Sequence, residues 1–208
     1  MDLFNNNPNQ NLLPFDGEVF LSQNVLNVAE IDFFYHTLLN ANFWKQDELI
    51  IFGKRITTSR KVAWFGDFNY KYSYSKITKK AKLWTPELQS LKKLIELKTE
   101  ESFNSCLLNL YHNGSEGMSW HSDNEKELGE NPIIASLSLG AARKFSLKHK
   151  FKNYKVDIIL ESGGLLLMKG ETQTKWLHSL PKTKKVTTPR INLTFRSIIK
   201  NYKGFVNQ

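Results

Sequence analysis

The sequence predicts a mainly β fold with flanking helices (α+β), arranged as an antiparallel sandwich or jelly roll. Three observations predict it. Residues 103 to 198 hold short apolar-alternating runs joined by short turns, with no helix-length pattern between them. Helical spacing is confined to two earlier stretches. Strands that follow one another without crossover helices pair antiparallel rather than in a parallel sheet. With 208 residues, 40% of them hydrophobic, the chain is long enough to form one domain around a packed core.

Residues 1–16 are Asn-rich and read as a flexible tail, which leaves 17–208 as the folded domain. Glu18 to Leu21 reads as a first strand. From Asn24 to Asn40, Val25, Val28, Ala29, Ile31, Phe34, Tyr35 and Leu38 recur near helical spacing. A second helix opens at Thr85-Pro86-Glu87: Thr caps, Pro suits the first turn, and Glu meets the positive helix end. Leu88, Leu91, Leu94 and Ile95 form its apolar stripe. Both helices are expected to brace a sheet. Strands are predicted at 48–52, 54–57, 61–65, 70–75, 105–112, 117–120, 133–139, 143–149, 156–160, 164–168, 175–179 and 190–198.

The net charge of +9 is unevenly spread. Arg143 to Lys155 and the chain after Glu171 carry lysines and arginines without an acid. A third basic stretch, Tyr70 to Lys82, interleaves lysines with Tyr70, Tyr72 and Tyr74. Acids gather instead at Glu116, Asp123, Glu125, Glu127 and Glu130. A positive surface around a small acidic centre suits a nucleic-acid partner, whereas charge alone also describes a solvated lysine-rich surface. The single cysteine, Cys106, excludes an internal disulfide and fits a reducing compartment, cytosol or nucleus. No apolar run is long enough to span a membrane, and the N-terminus lacks a signal-peptide pattern. A monomer is the expected state.

The chemistry concentrates in Trp120-His121-Ser122-Asp123. In an extended segment alternate side chains share a face, so His121 and Asp123 point the same way, within reach of one metal ion. His178 would add a third ligand from another strand. Two histidines and a carboxylate leave the opposite face of a metal open, which suits non-haem Fe(II) and O₂ chemistry. His36, His112 and His149 are read as non-ligands.

In 190–196, Arg190, Asn192, Thr194 and Arg196 share one face while Ile191, Leu193 and Phe195 share the other. In 105–111, Asn109 and Tyr111 sit on one face with Ser105 and Leu107. The plain reading of such a row is an exposed polar face. Two arginines, an amide and a hydroxyl beside the His/Asp/His set favour an interior row that holds an acidic co-substrate, because a planar guanidinium grips a carboxylate with two hydrogen bonds.

Several of these motifs in order resemble the AlkB family of Fe(II)/2-oxoglutarate dioxygenases. They are Asn109-x-Tyr111, His121-x-Asp123-x-Glu125, Ile134 to Gly140, His178-Ser179-Leu180-Pro181, and Pro189-Arg190 through Phe195-Arg196. Upstream, Phe52-Gly53-Lys54, Ser59-Arg60, Phe65-Gly66-Asp67, Tyr72-x-Tyr74-Ser75 and Trp84-Thr85-Pro86 are similar to its duplex-DNA-repair branch. Ser59, Phe65 and Tyr74 depart from residues common in that branch; the metal and co-substrate positions do not.

The resemblance implies a double-stranded β-helix, a jelly roll. It implies His121, Asp123 and His178 as iron ligands, Asn109, Tyr111, Arg190, Asn192 and Arg196 as 2-oxoglutarate contacts, and Arg190 on the distal carboxylate. It implies a nucleotide-recognition region at about 50–84. There Tyr72 and Tyr74 wall the damaged-base pocket, Arg60 contacts DNA, and Phe52 fills the gap left by the flipped base. Glu125 reads the exocyclic amino group. The implied reaction is oxidative demethylation of N-alkylated bases such as 1-methyladenine and 3-methylcytosine in DNA, coupled to conversion of 2-oxoglutarate to succinate, with release of formaldehyde. The alternatives are the same chemistry on RNA or single strands, a non-catalytic nucleic-acid-binding jelly roll, and a cupin-like metalloenzyme that does not use oxygen.

Overall fold

Alternation along the strands, more than any single residue, builds the architecture of this computed structural model, which describes residues 8–51, 54–74 and 77–199. The strands are β1 (Glu18–Ser22), β2 (Lys45–Ile51), β3 (Lys54–Gly66), β4 (Lys71–Tyr74), β5 (Ile77–Lys80), β6 (Lys82–Leu83) and β7 (Ser105–Tyr111). They continue as β8 (Met118–His121), β9 (Ile134–Gly140), β10 (Arg143–His149), β11 (Lys155–Leu160), β12 (Leu165–Lys169), β13 (Trp176–Leu180) and β14 (Arg190–Arg196). The helices are α1 (Val28–Leu39), α2 (Pro86–Thr99) and the short α3 (Thr172–Lys175).

The larger sheet runs β1-β12-β9-β14-β7-β3-β2, with β6 beside β3; the smaller runs β11-β10-β13-β8. β4 and β5 form a separate hairpin. Only the short β3–β6 pairing is parallel among the described residues. The prediction of a mainly β, antiparallel fold is met.

One face of the larger sheet meets the helices. Ile191, Leu193 and Phe195 of β14 and Leu108 and Leu110 of β7 pack with Phe34 and Leu38 of α1 and with Leu88, Leu91 and Ile95 of α2. α1 starts at a capping box, in which the Asn27 side chain accepts from the Glu30 N–H and the Glu30 carboxylate accepts from the Asn27 N–H. Thr85 caps α2 with Pro86 in its first turn, as the sequence predicts. The opposite face of the larger sheet meets the smaller one through a second core, with Tyr111, Ile134 and Met168 against Phe145, Leu147 and Trp176.

Four features differ from expectation. The predicted strands 54–57 and 61–65 are one strand, β3, because a register shift opposite Gln46 and Glu48 carries pairing past the polar Thr57–Arg60 stretch. Strand 70–75 is followed by a partner, β5, that the lysine-rich sequence hides. α3 precedes β13 where no helix is predicted, its four residues being too few for a periodic pattern. Residues 11–16, assigned to the tail, are held against the domain. Leu13 is buried, the Leu12 N–H bonds the Val19 carbonyl, and Phe15 packs on His149, Tyr154 and Trp176. The Asn richness of this stretch masks its apolar Leu12, Leu13 and Phe15.

Candidate active site

β8 is the edge of the smaller sheet, and its last residue, His121, stands directly across from His178 of β13. That register puts the two imidazoles face to edge, with ring centroids 4.3 Å apart. Asp123 follows two residues later, where the chain has left the strand and turned inward, and it is buried. Ligand atoms of His121, Asp123 and His178 lie within 4.8 Å of one another. The nearest carboxylate oxygen of Asp123 is 3.8 Å from His178 Nε2.

Electrostatics leaves these groups able to serve as ligands. Burial against Phe145 and its neighbours drives the His178 pKa down to about 4, although Asp123 opposes the shift, so the ring is neutral at physiological pH. Burial pushes the Asp123 carboxyl up, but the charges around it, Arg196 first among them, outweigh burial and hold the group below the usual carboxylate value. The His121 ring donates from Nδ1 to the Ser119 carbonyl at 2.8 Å, an acceptor-only partner that leaves Nε2 free to bind a cation.

The polar row of β14 is interior. Arg190, Thr194 and Arg196 are buried, and the register pairs Arg190 with Tyr111 and Asn192 with Asn109 on β7. On the other side, β9 contributes Ser136 and Ser138. Asn192 Nδ2 donates to Ser136 Oγ at 2.7 Å, and Arg190 Nη2 donates to Ser138 Oγ at 2.9 Å. The Arg190 guanidinium lies over the Tyr111 ring at 5.7 Å, and Arg143 lies over the same ring at 5.9 Å. Burial lowers the Arg190 pKa to about 10. One cavity is lined by His121, Asp123, His178, Asn109, Tyr111, Arg190, Asn192, Thr194 and Arg196, with Met118, Ser136 and Phe145 among the remaining wall. The alternation of Ser136-x-Ser138 signals the two serines in sequence; nothing in sequence marks Met118.

This combination of fold and site matches a known family. The 2OG-Fe(II) oxygenase superfamily matches residues 18–196. The chain belongs to it. Members of this superfamily have a jelly-roll fold and use Fe(II) and 2-oxoglutarate, so this chain is an enzyme of the dioxygenase class. Its AlkB homologues include "Alpha-ketoglutarate-dependent dioxygenase alkB homolog 3" of Homo sapiens, 39% identical over 89% of this chain and 68% of the relative. Another is "DNA oxidative demethylase ALKBH2" of Bos taurus, 40% identical over 74% of this chain and 58% of the relative. Among solved structures, "The structure of OsALKBH1" superposes with a TM-score of 0.60 at 19% identity, covering 89% of this chain and 99% of that one.

The residues present fit both groups of this oxygenase family. Two imidazoles and a carboxylate are the donor set that suits Fe(II). The buried Nε of Arg190 and Oδ1 of Asn109 have no hydrogen-bond partner among the described residues, which suits a ligand that presents a carboxylate and polar oxygens.

The substrate residues fare differently. Glu125 stands beside the site, with a carboxylate oxygen 3.8 Å from Arg196 Nη1; burial raises its pKa above the usual value although its side chain is 42% exposed. Arg60, the expected DNA contact, is held inside the domain. It is only 7% exposed, its guanidinium pairs with Asp47 at 2.9 Å, and Nη1 donates to the Met118 sulfur at 3.3 Å. The buried Asp47 carboxylate accounts for its inward position. Phe52 lies outside the described residues. Tyr72 and Tyr74 pair along β4 with Lys79 and Ile77, and the expectation for their rings lies outside the described residues. No described helix is long and apolar enough to cross a membrane.

Proposed function

We propose that this oxygenase removes N-linked methyl groups from bases of the 1-methyladenine and 3-methylcytosine type in DNA, acting as a monomer in the cytosol or nucleus. The net change converts base–CH₃, O₂ and 2-oxoglutarate into demethylated base, formaldehyde, succinate and CO₂. His121, Asp123 and His178 hold Fe(II), which when bound supplies the site where O₂ is activated at the expense of 2-oxoglutarate. Arg190 takes the distal carboxylate of 2-oxoglutarate with its free Nε and an Nη. Tyr111 shields that ion pair, while Asn109, Asn192 and Thr194 offer hydrogen bonds along the same wall. Arg196 holds the Asp123 carboxylate in place from 3.5 Å and completes the co-substrate contacts.

Recognition of the base is assigned to the region 50–84, with Phe52, Tyr72 and Tyr74 as its candidate contacts. Methylation at these positions blocks Watson–Crick pairing and makes the ring cationic. Extrusion then costs less, and the Glu125 carboxylate gains an attractive partner. What supports this reading is one observation: a buried guanidinium short of partners and a His/Asp/His cluster occupy the same cavity. The ALKBH2 relative is named a DNA oxidative demethylase, which supports the substrate class.

The test loads the full chain anaerobically with Fe(II) and 2-oxoglutarate, then admits air and a methylated oligonucleotide. Succinate and formaldehyde should accumulate in step. Succinate without formaldehyde would overturn the substrate and keep the oxygenase; faster turnover of RNA than of DNA would overturn the DNA assignment.

A further inference from the structure

Gln173 belongs neither to the metal-binding cluster nor to the polar row, yet its side chain reaches a member of the cluster. It sits in α3 and is 1% exposed. Its Oε1 accepts the backbone N–H of Asp123 at 2.9 Å, while Nε2 donates to the weakly accepting Met168 sulfur at 3.5 Å. An amide buried in apolar surroundings is costly unless bonded, so the bond to Asp123 is the main compensation this side chain has.

A second arm runs in parallel. The Gln173 carbonyl accepts from Lys150 Nζ at 2.8 Å, and the same ammonium donates to Ser122 Oγ at 3.1 Å. Ser122 and Asp123 lie just beyond the end of β8, where no ladder bond holds the chain. α3 is capped by Trp176, the first residue of β13, and His178 follows two residues later. Gln173 therefore ties the segment that carries Asp123 to the segment that carries His178.

We propose that Gln173 is a positioning residue for Asp123: its amide oxygen fixes the Asp123 peptide against the lead-in to His178, setting the spacing of carboxylate and imidazoles before an ion arrives. This role rests on the metal-centre reading above. Loss of an outer partner of this kind weakens metal binding by about 10–100-fold.

The experiment titrates Co(II) into chelator-treated full-length protein, reading affinity by calorimetry and ligand geometry by visible absorption. Gln173→Met keeps the length and removes the acceptor. It should bind Co(II) about 10–100-fold more weakly and with an altered spectrum, while the metal-free protein melts within a few degrees of the parent. Equal affinity and an unchanged spectrum would overturn the role of Gln173 alone. A parent chain that takes up no Co(II) would overturn the metal centre itself and this role with it. Hydrogen exchange on the metal-free parent gives a measurement that no folding defect can obscure. The Asp123 amide should be protected, and an amide that exchanges as freely as exposed backbone would overturn the proposal.

Discussion

Arg190 and Arg60 are both buried arginines, but they face different partners and predict different phenotypes. Arg190 donates one hydrogen bond to Ser138 and keeps Nε unpaired. Replacing it with lysine keeps the charge and loses the two-pronged grip. A hydrogen bond to a charged group contributes roughly 1.5–3 kcal/mol, so Arg190→Lys should raise KM for 2-oxoglutarate about 10–100-fold with kcat little changed. Succinate formation against co-substrate concentration measures this, and an unchanged KM would remove Arg190 from the co-substrate site. Arg60 is paired with Asp47. Removing one partner of a buried pair costs about 3–5 kcal/mol, so Arg60→Ala should lower Tm sharply without changing the salt dependence of oligonucleotide binding. The polar row of β14 is readable from its residues because alternation is local. The Arg60–Asp47 pair and the buried amide of Gln173 are not, since each depends on a partner that only the folded chain brings near.

At the scale of elements, the N-terminal segment and the β10–β11 hairpin give two checks. Leu13 is 3% exposed within the core that includes Val19 and Trp176. Leu13→Ala should cost about 2–5 kcal/mol in thermal or denaturant unfolding. No loss would return residues 11–16 to the tail that their composition suggests. On the hairpin, Asp157 of β11 faces Ser146, Lys144 and Lys155. Partial burial raises its pKa, but the Ser146 hydroxyl and both ammonium groups outweigh it and bring the value to about 2. A carboxylate held below its unfolded value stabilises the fold fully above about pH 4, and the contribution is lost as pH falls toward 2. The pair is solvent-screened, so Asp157→Asn should cost about 1 kcal/mol or less at pH 7. The gap in Tm between variant and parent should close in acid; a gap that widened would reverse the sign argued here. Helices α1 and α2 were legible from their caps and stripes. β3 was split in prediction because Ser59-Arg60 looks like a break until its bulged partner is seen.

For the whole molecule, the +9 charge is the property that a polyanion would sense. Binding of a methylated oligonucleotide should weaken linearly on logarithmic axes as salt rises. A footprint of about six phosphates would lose roughly 1,000-fold between about 50 and 200 mM salt. Fluorescence anisotropy gives the slope, and a flat profile would exclude the basic surface from recognition. The fold class followed from strand patterning across the chain; the inward facing of the polar row did not, and was readable only beside His121, Asp123 and His178. The recognition region at 50–84 rested on resemblance, because its lysines and tyrosines carry no pattern that separates a binding face from a solvated one.

β14 serves two environments at once: Ile191, Leu193 and Phe195 lie in oil, and Arg190, Asn192 and Arg196 line the polar chamber. Its side chains obey a reading frame with a period of two. A one-residue insertion near its start would shift that frame, delivering guanidinium groups to the helices and phenyl to the chamber. Such a chain would lose its stability and its chemistry in the same stroke, although no functional side chain had been replaced.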